Sequence, residues 1–307
     1  EFTVPAKPFD AIIKRLPKSS LVTLEYNGAS LAISAGRSKF NLQTLPADEF
    51  PKLGNNEFDH TAKISADVFS TLLQKTKFAM STEEARYYLN GVYLHNDDAG
   101  DLIAVATDGH RLAKMTYAGD VDVYSGRNDD DRGGVIIPRK TVDRLAKILE
   151  DVEGDVTLET SETKLRVTGD GFQIVSKVVD GTFPDYTRVI PQNLEHTMSV
   201  DAKDFSAASG SVAAVADSKS RAVRLVVNAD TCALIGRGAV GDAESEVSVE
   251  YDGEPLEIGF NSAYLADMMS QAGGGVVRMM LGKPGDPALV RFDECEEFSG
   301  VVMPMRV

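Results

Sequence analysis

The sequence has 307 residues, of which 43% are hydrophobic and 26% charged, an ordinary globular mixture that excludes a disordered or collagen-like chain. Its net charge is −15, from 47 acids and 32 bases. That balance argues against wholesale coating of nucleic acid, which needs concentrated Lys and Arg, but leaves room for a local basic surface.

A first helix is predicted around Phe9, Ile12, Ile13 and Leu16, the i, i+3, i+4, i+7 spacing of one apolar face. It carries Lys7, Lys14 and Arg15, with Lys18 just beyond. Strand-like alternation follows through Val22-Thr23-Leu24-Glu25, the turn Asn27-Gly28 and Phe50-Pro51, and a boundary is expected near Gly54-Asn55-Asn56. A second helix holds Phe69, Leu72, Leu73 and Thr76, with Lys75 and Lys77. Strands then run past the turn Asp97-Asp98-Ala99-Gly100 to Thr107-Asp108-Gly109-His110-Arg111. The acid-rich stretch Arg127 to Gly134 reads as a solvated loop. A third helix buries Val142, Leu145, Ile148 and Leu149 and sets Lys140, Arg144 and Lys147 on the opposite face, with Arg139 just before. A second boundary is expected near Gln192-Asn193. The fourth helix, Lys203 to Val215, is rich in Ala and Ser. The fifth holds Leu265, Met268 and Met269 and is stopped by Gly273-Gly274-Gly275.

These elements repeat. Val22-Thr23-Leu24-Glu25 recurs as Val156-Thr157-Leu158-Glu159, Phe50-Pro51 as Phe183-Pro184, and His60-Thr61 with Phe69 as His196-Thr197 with Phe205. The three offsets agree within a few residues, which points to duplicated domains. Each domain divides again into halves of one short helix and about three strands. Five halves are present, so the first domain is expected to lack its leading half, and an N-terminal segment is expected to precede the chain.

Two motifs invite a chemical reading. Gly236-Arg237-Gly238-Ala239-Val240-Gly241 matches GxGxxG, yet a dinucleotide site needs that turn to open a helix, and the residues after it are acidic and alternating. Asp108 and His110 suggest an acid–base pair, against a tight Asp-Gly turn in which Arg111 bonds carbonyls. No second cluster completes a metal or nucleophile site, and His60, His95 and His196 read as structural. Cys232 and Cys295 form no pair motif and no Asn-x-Ser/Thr sequon occurs, features in keeping with a cytoplasmic setting. No apolar run approaches a membrane span, and no signal peptide is visible in these residues. The basic helices are individually ordinary solvated faces. Side by side in a repeat, they would make one positive surface, the footprint of backbone-only nucleic-acid binding. The ending Met303-Pro304-Met305 is a soft apolar surface suited to varied partner peptides.

Arg86-Tyr87-Tyr88-Leu89-Asn90-Gly91, Ala106-Thr107-Asp108-Gly109-His110-Arg111-Leu112-Ala113, Phe183-Pro184-Asp185-Tyr186, Gly259-Phe260-Asn261 and Val302-Met303-Pro304-Met305-Arg306 together closely resemble the bacterial DNA sliding clamps, the beta subunits of DNA polymerase III. The match runs along the whole chain in order. The resemblance implies an α+β fold of tandem clamp domains, each of two helices plus antiparallel sheets with an internal pseudo-twofold repeat. The domains would be 1–56 (the second half of a truncated first domain), 57–192 and 193–307. It implies a homodimeric ring around duplex DNA, without catalysis or cofactor, that tethers a polymerase and clamp-loader subunits through short motifs.

By that resemblance the partner-peptide pocket would use Tyr88, Leu89, Thr107, Gly109, His110, Arg111, Leu112, Pro184, Arg188, Val189, Asn261, Tyr264 and the tail Val301, Val302, Met303, Pro304, Met305, Arg306 and Val307. Lys7, Lys14, Arg86, Tyr87, Arg139, Lys140, Arg144 and Lys147 would face DNA. The ring would close through Phe40 and Leu42 on one side and Ala214 and Val215 on the other. Ser220 stands where relatives often carry an aromatic residue, and Lys283 to Ala288 forms a Pro-rich, insertion-like loop near the pocket. Two other readings remain from the residues alone: a hydrolase or nuclease built on Asp108 and His110, and a scaffold that binds only proteins.

Overall fold

A computed structural model describes residues 1–50, 57–123, 133–217 and 220–306. The expected boundary at 54–56, Pro51, most of the acid-rich loop (127–132) and Val307 lie outside the described residues. The chain divides into two units, Glu1–Asn56 and Glu57–Val307.

The first unit holds β1 (Phe2–Thr3), α1 (Ala6–Arg15), β2 (Thr23–Tyr26), β3 (Ser30–Ala35), β4 (Ser38–Gln43) and β5 (Leu45–Pro46). Strands β2, β3 and β4 form one antiparallel sheet with β3 central, and β1 pairs with β5. Leu31, Ile33 and Ala35 on β3 are buried. The helix differs from expectation. Its amphipathic spacing is present, but none of its residues is buried, and Ile13 remains 37% exposed. Amphipathic periodicity marks a face able to be covered; burial also requires an element to cover it.

The second unit runs β6 (His60–Ser65), α2 (Ala66–Thr76), β7 (Gly91–Asn96), β8 (Leu102–Thr107), β9 (Arg111–Tyr117), β10 (Val135–Pro138), α3 (Arg139–Leu149), β11 (Asp155–Thr160), β12 (Lys164–Gly169) and β13 (Phe172–Lys177). It continues with β14 (His196–Asp201), α4 (Ala202–Ala213), β15 (Ala222–Val227), β16 (Thr231–Gly238), β17 (Gly241–Ser248), β18 (Glu250–Tyr251), β19 (Leu256–Asn261), α5 (Ser262–Ser270), β20 (Val276–Leu281), β21 (Ala288–Phe292) and β22 (Cys295–Val302).

The repeat is visible as an exchange of strands. Each of α2, α3, α4 and α5 is preceded by one strand and followed by a three-stranded meander. The leading strand does not join its own meander. Thus β6 pairs with β11 and β10 with β7, while β14 pairs with β20 and β19 with β15. Two halves that swap leading strands are related by a pseudo-twofold axis. The equivalent helices α2 and α4 bury equivalent residues, Phe69 and Phe205.

All pairings are antiparallel; alternation buries one face of β12, where Leu165 and Val167 are inside, whereas β7 and β8 are buried on both faces. The helices lie over those faces. On α3, Val142, Leu145, Ala146 and Leu149 are buried, and on α5, Leu265, Met268 and Met269. The last strand, β22, pairs with β9, which welds two sheets into one of nine strands, β10-β7-β8-β9-β22-β21-β20-β14-β18. The sheet passes straight across the expected boundary at residue 192.

Candidate partner groove and basic helix face

The turn between β8 and β9 is built by its own side chains. Asp108 accepts from the amides of His110 (2.9 Å) and Arg111 (3.0 Å) and from the Arg111 guanidinium (3.1 Å). Thr107 donates to the Arg111 carbonyl at 2.7 Å and accepts from the Gly109 amide at 3.1 Å. Gly109 sits at φ +88°, a left-handed position that favours glycine. Arg86 donates to the Asp108 carbonyl at 3.2 Å. A carboxylate engaged by three donors is a turn cap rather than a general base, so the acid–base reading of Asp108 and His110 fails on geometry.

The chain's end is stitched to this turn. Met303 donates its amide to the His110 carbonyl at 2.9 Å, and Met305 donates to the Gly259 carbonyl at 2.8 Å. Val301 and Val302 face Leu112 and Arg111 across the β9–β22 ladder. From the other side comes α5, capped by Asn261, whose side chain accepts from the amides of Ala263 (2.9 Å) and Tyr264 (3.4 Å). The Tyr264 ring lies under the Arg111 guanidinium at 4.6 Å and stacks on His110 at 6.2 Å between centroids. Burial holds the Tyr264 hydroxyl above the usual phenol range, and nearby Asp108 adds to the shift.

An apolar cluster lies below. It joins Leu89, Leu112 and Val301 with Tyr93, Ile103, Val105, Ile136 and Leu289, and with Phe183 and Tyr186 from the segment between the repeats; Tyr88 packs against it. Phe183 stacks on Tyr93 at 4.8 Å. With those two rings inside, Pro184, Arg188 and Val189 are left exposed, and Arg188 pairs with Asp185 at 3.0 Å. Beyond the tail a cleft of about 680 Å³ is lined by Arg224, Glu257, Gly259, Pro284, Gly285, Pro304, Met305 and Arg306, among others. The Pro-rich loop thus forms one of its walls. The expected pocket residues thus come from five segments; the turn, the tail and α5 are in direct contact, whereas Pro184, Arg188 and Val189 lie exposed on the segment that buries Phe183 and Tyr186.

The basic residues divide into two sorts. Lys140, Arg144 and Lys147 stand exposed along α3, and none forms an ion pair among the described residues. Arg139, expected beside them, is half-buried and donates to the carbonyls of Met80 (2.6 Å) and Ser81 (3.0 Å). Lys75 on α2 donates to the Gln271 carbonyl and lies 5.9 Å over the Phe292 ring. Arg86 is held by Glu83 through two bonds of 2.8 and 2.7 Å. That bond keeps the Glu83 carboxyl below its usual range and raises the Arg86 guanidinium. Tyr87 beside it is 53% exposed. On α1, Lys7 is exposed and Lys14 pairs with Asp10 at 2.8 Å. α5 has no Lys or Arg.

Phe40, 37% exposed, and half-buried Leu42 lie on β4, an edge of its sheet. Ala214 and Val215 follow α4 directly, and β17 is an edge of its own sheet. The GxGxxG stretch is the β16–β17 hairpin, with Gly238 paired to Gly241, and opens no helix. Among the described residues no His, Cys, Asp or Glu group is placed to hold a metal, and no helix is long and apolar enough to cross a membrane. Sequence reasoning missed Phe78 and Asp267, which hold Arg111; no local pattern connects residues so far apart in the chain.

Models of the DNA polymerase III beta subunit match along the chain: the N-terminal domain at residues 1–54, the central domain at 63–185 and the C-terminal domain at 187–306. A beta sliding clamp of Caulobacter vibrioides is 38% identical over 313 residues, covering 100% of this chain and 82% of the relative. One from Pseudomonas aeruginosa is 37% identical over 308 residues, with the same coverage. The crystal structure of a sliding clamp (DNA polymerase III subunit beta) from Bartonella birtlesii bound to griselimycin superposes with a TM-score of 0.91 at 41% identity, over 100% of this chain and 82% of that one.

Proposed function

The chain belongs to the DNA polymerase III beta-subunit family, the sliding clamps, and on that premise we propose how its surfaces divide the work of a clamp. It is a DNA sliding clamp, a processivity subunit rather than an enzyme. Two copies form a ring around duplex DNA in the cytoplasm, and partners dock on the groove between the second and third domains.

The observation that carries this division is the groove's construction. The buried Leu89, Leu112 and Val301 share one apolar cluster, the Thr107–Arg111 turn stacks on Tyr264, and the tail is bonded to His110 and to Gly259. Such a site suits a short polymerase or clamp-loader motif that inserts apolar side chains beside a fixed backbone. Burying two of them supplies about 1.5–3 kcal/mol each before ordering costs. The turn shapes the wall and performs no chemistry.

Lys140, Arg144 and Lys147 meet phosphates without reading bases, so the duplex slides while contact is kept. Arg86 and Tyr87 take the same role in the second unit, Lys7 and Lys14 take it in the first, and Arg139 braces α3 through the Met80 and Ser81 carbonyls. Ring closure has a template within the chain. Strands β9 and β22 are each the third strand of a meander, and they pair antiparallel. Strands β4 and β17 are also third strands and lie at sheet edges. Pairing β4 of one copy with β17 of another, with Phe40 and Leu42 near Ala214 and Val215, repeats that joint between molecules and covers both edges.

The deciding experiment is a fluorescence-polarisation titration with a labelled peptide of the Gln-x-x-Leu-Phe type, against the intact chain and one lacking Met305, Arg306 and Val307. Saturable binding abolished by the deletion supports the groove. An intact, folded chain that does not bind would sink it.

A further inference from the structure

We propose that Asp267, on the outer turn of α5, is a positioning residue for partner-peptide recognition, acting through Arg111 on the groove wall; this rests on the groove reading above. The Arg111 side chain is only 11% exposed and is held on four sides. Its Nε bonds Asp108 at 3.1 Å and its Nη1 bonds Asp267 at 2.5 Å. Its guanidinium carbon lies over the ring of Phe78 at 5.3 Å and over that of Tyr264 at 4.6 Å. Asp108 sits three residues from Arg111 and fixes only the near end of the fork. Asp267 lies across the seam between the second and third domains and fixes the far end.

The consequence passes along a chain of contacts. The clamped guanidinium faces Tyr264. Tyr264 stacks on His110 with 19° between the rings. The His110 carbonyl holds the Met303 amide. One carboxylate on α5 thereby sets the angle of two rings and the seating of the tail, without standing among the groove residues. A rigid planar fork bonded at both ends can do this; a lysine cannot. The second domain supplies the turn and the third supplies α5, so the wall has its shape only while the seam is closed. By reciprocity, an occupied groove tightens the seam by the same factor.

The test uses the full chain and a fluorescein-labelled peptide carrying Gln-x-x-Leu-Phe with x as alanine. Asp267 is 50% exposed as a side chain, so Asp267→Ala should fold with an unchanged melting temperature. Its peptide affinity is expected to fall about threefold to fivefold at low salt, the scale of a partly exposed ion pair. Asp267→Glu should restore most of that loss, and the difference should shrink in 1 M salt as screening rises. In a double-mutant cycle, Asp267→Ala should cost nothing further once Arg111→Ala is present. Wild-type affinity in Asp267→Ala, a loss that Glu does not rescue, or additive effects in the cycle would each overturn the proposal while the groove stands. Failure of the unsubstituted chain to bind overturns both.

Discussion

The amide of Met303 donates to the carbonyl of His110 at 2.9 Å, joining the end of the chain to a turn nearly two hundred residues earlier. Two positions on, Met305 is bonded in the same way to Gly259. The tail is therefore a strap with two fixed points, and the groove depends on both.

Removing Met305, Arg306 and Val307 leaves the β9–β22 ladder intact and deletes the second fixed point. Peptide affinity is expected to fall at least about tenfold, the equivalent of one apolar side chain left unburied. The melting temperature should move little. Parallel polarisation and thermal-melt measurements test this: equal loss in both would mean that the tail is structural instead.

Replacing Lys140, Arg144 and Lys147 with alanine should leave α3 folded, because its buried face is Val142, Leu145 and Leu149. If each meets a phosphate, the slope of log affinity for duplex DNA against log salt should drop by about 2.7. Arg139→Ala should act differently. It strands the Met80 and Ser81 carbonyls, so stability should fall by about 1–3 kcal/mol while the salt slope stays near that of the unsubstituted chain. A steeper loss of slope in Arg139→Ala would reverse that division.

Burial pushes the Cys232 thiol up to about 12 from a usual 9.0. Its folded value lies above its unfolded value, so the folded state holds the proton more tightly. The stability this gives is fully present below pH 9 and is lost as the pH rises from 9 towards 12. Cys232→Ala should flatten that alkaline limb in urea titrations at pH 8 and 10. Half-buried Cys295 is raised less and for the same reason, so a thiol reagent at pH 8 should label it first. Prompt labelling of Cys232 in the folded chain would contradict its burial.

Gly91 begins β7 against β10, and a Cβ there would lie 2.2 Å from the Ile137 carbonyl oxygen. Backbone cannot step aside without breaking the exchanged leading strand. Gly91→Ala should cost about 2–3 kcal/mol, whereas Gly171→Ala, at an open turn with no neighbour within 4 Å, should cost less. Chemical denaturation of both variants decides the order.

What could be read from the sequence was local or periodic. The helices follow from 3.6-residue spacing, and the duplication follows because equivalent residues such as Phe69 and Phe205 fill equivalent cores. The turn at Asp108-Gly109 was legible because its bonds run over three residues. The exchange of leading strands and the β9–β22 weld were not, since sheet pairing between distant segments leaves no spacing to find. Arg139 shows the limit for charge. A helical wheel sets it beside Lys140, but only the fold shows that carbonyls of another segment receive it. The apolar face of α1 shows the converse, a correct pattern with no burial.

The weld between β9 and β22 also has a meaning for the chain as it is made. During synthesis β7, β8 and β9 emerge early, while the partner of β9 emerges only with Cys295–Val302. Until then β9 offers an unpaired ladder to any strand nearby, the condition under which nascent chains aggregate or exchange elements. Arg111 and Lys114 lie on that strand, and charges on an open edge discourage the wrong neighbour. The second domain's sheet is thus finished by the third domain, so the earlier fold waits on the later one.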